Sequence, residues 1–191
     1  YVNIRNNEDA NEFLVNIEKY SSVQCVSVVV NFLDLLLQNR STSSILREIA
    51  PDEHSFRMLM QSWFQYSNVY KMIKEFSRQE CTVILTTDHG SVFSVRDTEV
   101  YGATELPGHH RYMIGSNLTC DERHAIFLSN PEVFKLPSLS PEDVYLIAKE
   151  NYYFIQPGKF DEKRTKYASG FQHGGISLEE MVVPLGILRP R

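Results

Sequence analysis

A chain of 191 residues, 42% hydrophobic and 23% charged, has the length and composition of one ordinary globular domain with a sizeable core. Its net charge of −5 excludes a global basic field of the kind that coats nucleic acid, and no apolar run is long enough to span a bilayer. Cys25, Cys81 and Cys120 are odd in number and lack zinc-ribbon spacing, so they read as reduced thiols of a cytoplasmic protein.

The opening Tyr1-Val2-Asn3-Ile4-Arg5 has neither an initiating Met nor a signal-peptide pattern, so the chain reads as excised from something longer. Residues 9–20 place Phe13, Leu14 and Ile17 at helical spacing, with Asp9 as the expected cap. Residues 23–33 are rich in Val and read as a buried strand ending near Asp34. A short helix is expected over 41–50. Pro51-Asp52-Glu53 then opens a long helical region through about Gln79, broken near Ser67-Asn68. Trp63, Phe64, Tyr66, Tyr70, Ile73 and Phe76 are expected on its inner face. Residues 81–87 read as a second buried strand.

A strand, a helical crossover and another apolar strand predict an α/β fold with a mainly parallel central sheet flanked by helices. Segments 25–34, 81–87 and 182–188 are expected as neighbours in that sheet. Ligands collect beyond the carboxyl ends of such strands, where Asp34, Asp88 and His89 fall. Between Ser91 and Phe171 the texture changes to short strand-like runs separated by turn residues, among them Ala125-Ile126-Phe127-Leu128 and Tyr152-Tyr153-Phe154-Ile155. This predicts a core of about 1–90 and 172–191 with an inserted β-rich cap lobe of about 91–171. Ser177 followed by Glu180 fits a capping box, so a helical turn is expected after His173-Gly174-Gly175. Residues 182–188 read as the last strand, with Pro184 arguing for a sheet edge.

Two stretches carry chemistry: Thr86-Thr87-Asp88-His89-Gly90, directly after an apolar run, and His173-Gly174-Gly175-Ile176-Ser177. An Asp-His pair offers one hard oxygen and one imidazole nitrogen to a single point, a mixture that zinc and manganese accept. The glycines beside both histidines let backbone and substrate approach closely. Blander roles stand beside these. Asp34 could cap the segment after its strand, and His89 and His173 could bond backbone carbonyls. His109 and His110 read as loop residues, and His54 and His124 carry no assigned role. The basic run Lys159, Lys163, Arg164 and Lys166 is either a solvated face or a contact for phosphate or an oligonucleotide. Arg111 is a phosphate candidate of the same kind, because a guanidinium grips phosphate at two points.

The Thr-Asp-His-Gly stretch and His173-Gly174-Gly175-Ile176-Ser177-Leu178-Glu179-Glu180-Met181 with Val183-Pro184 resemble the PglZ-type domain of the alkaline phosphatase superfamily. Val30-Asn31-Phe32-Leu33-Asp34, Ser62-Trp63-Phe64-Gln65, Arg111-Tyr112 and Leu118-Thr119 resemble, within it, output domains of the response regulators of type IX secretion. The resemblance spans about residues 25–191. It implies an alkaline-phosphatase-like fold and two metal ions, zinc or manganese, holding a phosphate ester between them. Asp88 and His89 match the ligand pair of one metal, and Asp34 and His173 match two ligands of the other. The family has a His four residues after the first Asp, where this chain has Gln38. A neutral amide is a poor zinc ligand, so one position reads as weakened.

The resemblance also implies an upstream Asp and a Ser or Thr nucleophile, and neither is evident before Asp34. The catalytic residues are therefore unassigned. Two readings follow: the C-terminal part of a metal-dependent phosphoesterase domain, serving as output module of a signalling response regulator, or a catalytically incapable regulatory or interaction domain on the same scaffold. This chain is expected to be an incomplete or inactive hydrolase. The resemblance allows as partners a phosphate ester, nucleotide or oligonucleotide, an upstream receiver domain, and a second copy in a homodimer.

Overall fold

The computed structural model describes residues 1–40, 43–104, 110–138, 140–157 and 170–190, without the side chains of Gln38 and Thr104. Contacts divide the chain into two compact units, one of residues 1–86 and 185–191, the other of residues 87–184. No described helix is long and apolar enough to cross a membrane.

The first unit begins with strand β1 (Val2–Ile4) and helix α1 (Asn7–Val15). The cap of α1 is Asn6, whose side chain accepts from the N–H groups of Glu8 and Asp9. The expected cap, Asp9, lies inside the first turn and accepts from the Arg5 N–H at 2.9 Å. An Asn ahead of the apolar stripe captures the first free N–H groups before Asp9 is reached. Strand β2 (Val28–Val30) runs straight into helix α2 (Phe32–Arg40), then α3 (Ser44–Ile49), α4 (Glu53–Tyr66) and α5 (Asn68–Phe76). The break falls at Ser67, as the sequence indicates. Ser67 is extended, its hydroxyl donates to the Phe64 carbonyl, and its oxygen accepts from the Tyr70 N–H to start α5. Ile4, Ala10, Phe13, Ile17 and Met72 form the core of this unit. Trp63 stacks on Phe32 at 4.3 Å. Tyr66, expected on the inner face, is 82% exposed, because it ends α4 where the chain turns away.

The expected mainly parallel sheet is replaced by small sheets that are mostly antiparallel. β2 pairs in parallel with β1, in the register Val2↔Val28 to Ile4↔Val30. Strand β3 (Val83–Leu85) pairs antiparallel with a C-terminal strand, Gly186–Leu188, in a separate sheet. Three-residue strands fall below the window in which alternation can be read, so Val2–Ile4 gave no signal and the partner of each strand was unpredictable. The strand expected over 182–188 begins only at Gly186, after Pro184, which has no N–H to offer a ladder.

The second unit is β-rich. Strands β4 (Val92–Ser94), β5 (Arg96–Glu99), β6 (Tyr101–Thr104), β7 (Tyr112–Thr119), β8 (Ala125–Leu128), β9 (Asp143–Ala148), β10 (Tyr152–Ile155) and β11 (Gly170–Gln172) precede a short helix, α6 (Leu178–Met181). Its main sheet is antiparallel in the order β6-β7-β9-β8. β10 pairs in parallel with β5, and β11 antiparallel with β4. Val100, Met113, Leu118, Ala125, Leu146, Ala148 and Phe154 form its core. The final strand of the first unit, Gly186–Leu188, is β12.

Candidate functional site

Asp88, His89 and His173 all lie in the second unit, whereas Asp34 and Gln38 lie on α2 of the first. Asp34 is the third residue of that helix rather than the end of a strand, because the Val-rich run stops pairing at Val30. The Gln38 side chain is outside the described residues.

The Asp88-His89-Gly90 loop is held by its own short bonds. The Thr87 hydroxyl donates to the His89 carbonyl at 3.0 Å, and the His89 N–H donates to Asp88 Oδ1 at 3.1 Å. His89 Nδ1 lies 3.0 Å from the Gly90 carbonyl, an atom that can only accept. In the neutral ring this contact puts the proton on Nδ1 and leaves the lone pair on Nε2. Nε2 stands 3.8 Å from Asp88 Oδ1, and the Asp88 side chain is 87% exposed. The His173 ring stacks on His89, with centroids 4.2 Å apart and planes 10° from parallel.

The second motif docks against the first through Gly90 and Glu180. The Gly90 N–H donates to the Glu180 carbonyl at 2.9 Å. A Cβ on Gly90 would sit 2.0 Å from the Glu179 carbonyl oxygen, so only glycine allows this approach. The Glu180 side chain, almost wholly buried, accepts from the Gly175 N–H at 2.9 Å and from the Ser177 N–H at 3.1 Å. The Ser177 bond is the carboxylate half of the capping box read from the sequence. Arg111 supplies the countercharge: Nε donates to Oε1 and Nη2 to Oε2, both at 2.9 Å. Nη1 donates to the Tyr152 carbonyl. Burial pushes the Glu180 carboxyl up, but the bonds from Arg111 and Gly175 outweigh it and hold the group below the usual carboxylate range.

Arg111 is thus not a surface group awaiting phosphate. It is fully buried in a bidentate pair, a role that the guanidinium fork serves as well as it serves phosphate. Sequence reading found Glu180 as a cap and Arg111 as a cation but missed their pairing. Sixty-nine residues separate them, and no local pattern couples positions so far apart. Lys159, Lys163, Arg164, Lys166 and His109 lie outside the described residues. His110 donates from Nδ1 to the Phe154 carbonyl at 3.1 Å, and His124 stacks on Tyr152 at 4.0 Å.

Residues 6–187 match the family model of the BREX system PglZ alkaline phosphatase-like domain. The chain belongs to the PglZ family. No curated protein matches it.

A PglZ alkaline phosphatase-like domain implies bound metal, and the residues present can be tested for fit. By donor type they suit zinc or manganese: a carboxylate and two imidazoles, one with its tautomer set for Nε2 ligation. By geometry, two parallel rings cannot share one ion, because each lone pair lies in its own ring plane. Asp88 with His89 would then face one ion and His173 another. Among the described residues, no group of three or more His, Cys, Asp or Glu side chains is arranged to hold a metal.

Proposed function

We propose that this PglZ-family chain is part of a phosphoesterase domain that binds zinc or manganese, and that it serves as the output module of a cytoplasmic signalling response regulator. The observation that carries the reading is the meeting of the two motifs, with His89 stacked parallel to His173 beside an exposed Asp88 carboxylate. Asp88 and His89 would hold one ion and His173 a second. When bound, such metals polarise phosphoryl oxygens and activate a hydroxyl or water. The chain's own residues prepare this ground. The Gly90 carbonyl fixes the His89 tautomer, and the Asp88 oxygens remain open to solvent. Gly174, at φ +100°, turns the backbone beside His173 in a conformation that side chains rarely adopt. The response-regulator role rests on the sequence resemblance, which adds a receiver domain as partner.

The second reading, a regulatory or interaction domain without catalysis, is favoured by Gln38 at the family's His position and by the lack of an evident nucleophile before Asp34. One experiment separates the two. A chromogenic phosphodiester is incubated with zinc or manganese and the chain, beside His173→Ala. No nucleophile is evident, so metal binding that His173→Ala weakens, with little or no turnover, is the expected result; robust metal-dependent turnover that His173→Ala abolishes would overturn the expectation of an incomplete hydrolase. Absence of both metal binding by calorimetry and turnover would support the second reading.

A further inference from the structure

Glu180 reaches both motif loops at once. Its backbone carbonyl takes the Gly90 N–H of the Asp-His-Gly loop. Its carboxylate takes the Gly175 and Ser177 N–H groups of the His-Gly-Gly turn. Arg111 holds that carboxylate by two bonds and is itself tied to the β10 backbone at Tyr152. The fit is tight: a Cβ on Gly175 would lie 2.5 Å from Glu180 Oε2 and 3.1 Å from Arg111 Nε. Both partners are essentially out of water, at 0% and 2% side-chain exposure.

A helix of four residues does not need a buried ion pair to form its cap. A water-exposed Glu satisfies the same N–H groups without the desolvation cost of burying two charges. The arrangement is better suited to holding two loops in fixed register than to making a turn of helix. We propose that Glu180, locked by Arg111, is a positioning residue that sets His173 against His89. Neither side chain touches substrate or metal. They act through the backbone of Gly90 and Gly175, the glycines adjacent to or one removed from the two histidines. The inference concerns the stacked histidines directly, and its link to metal binding rests on the phosphoesterase reading.

The test uses the full chain with nitrogen-labelled histidine. Stacked imidazoles shield one another, so the ring C–H and nitrogen signals of His89 and His173 report their contact without any metal. Glu180→Ala is expected to shift both sets of signals toward those of exposed histidine. Glu180→Gln keeps an amide oxygen for Gly175 and is expected to shift them less. Leu146→Ala, which removes a fully buried side chain from the core of the same unit, is the control for general destabilisation and should leave both sets in place. If Glu180→Ala does not fold, Glu180→Gln decides on the same signals. Zinc titration of the folded variants should show affinity lowered by about 10-fold or more, the scale for loss of an outer-shell support. Shifted histidine signals with unchanged zinc affinity would uphold the positioning role and remove the metal reading. Unchanged signals in a folded Glu180 variant, or equal shifts in Leu146→Ala, would overturn the proposal.

Discussion

The Arg111–Glu180 pair is costly to disturb. Removing one partner leaves the other charge buried alone, so Arg111→Met or Glu180→Ala should each lose about 3–5 kcal/mol in urea unfolding. The double substitution by apolar residues should lose less than the sum, because no charge is then stranded. The pH dependence follows from the lowered Glu180 carboxyl. A carboxyl held below its unfolded value contributes stability above that value and loses it as pH falls through the folded one. Stability measured from neutral pH downward should therefore fall below the ordinary glutamate range, and Glu180→Gln should flatten that slope. At Gly90, a methyl group meets a backbone oxygen rather than a side chain that could swing away, so Gly90→Ala should cost about 1–3 kcal/mol, read by thermal melting. The Asp88-His89 and His173 motifs stand out in the sequence by their glycine neighbours. The buried pair does not, because ion pairing between distant residues depends on the fold.

At the scale of elements, local signals were read most reliably where the chain satisfies its own backbone. The break at Ser67 is such a case, since its side chain both ends α4 and starts α5. Ser67→Ala should destabilise the first unit by about 1 kcal/mol, the usual value of an N-cap, while Ser67→Asn should be nearly neutral. Circular dichroism melts of the two variants check this. Strands 125–128 and 152–155 were also readable, because apolar runs between turn residues stand out. Strand partners were not readable, as β2 and β3 show by choosing Val2–Ile4 and Gly186–Leu188. Hydrogen exchange should rank these elements. Amides shared by β7 and β9, at the centre of the four-stranded sheet, should exchange slowest, and those of the exposed three-residue strands β3 and β12 fastest among paired strands.

Across the whole molecule, the three thiols offer a probe of how environment overrides composition. All are free. Burial, with Asp121 nearby, pushes the Cys120 thiol up to about 11, whereas Cys25 is exposed. Iodoacetamide at pH 8 should therefore label Cys25 well before Cys120, as mass spectrometry of timed quenches would show. The sequence by itself determined the family, the Asp-His-Gly and His-Gly-Gly motifs, the alternation of helices with short strands, and the change to a β-rich texture after Ser91. Those properties live in short windows, where side-chain type and spacing constrain the backbone directly. Only the tertiary structure decided that Arg111 serves Glu180 rather than solvent, that His89 lies flat on His173, and that the short strands pair in separate small sheets. Each of these depends on contacts between residues far apart in the chain, and their energies exist only once the backbone has brought those residues within bonding distance.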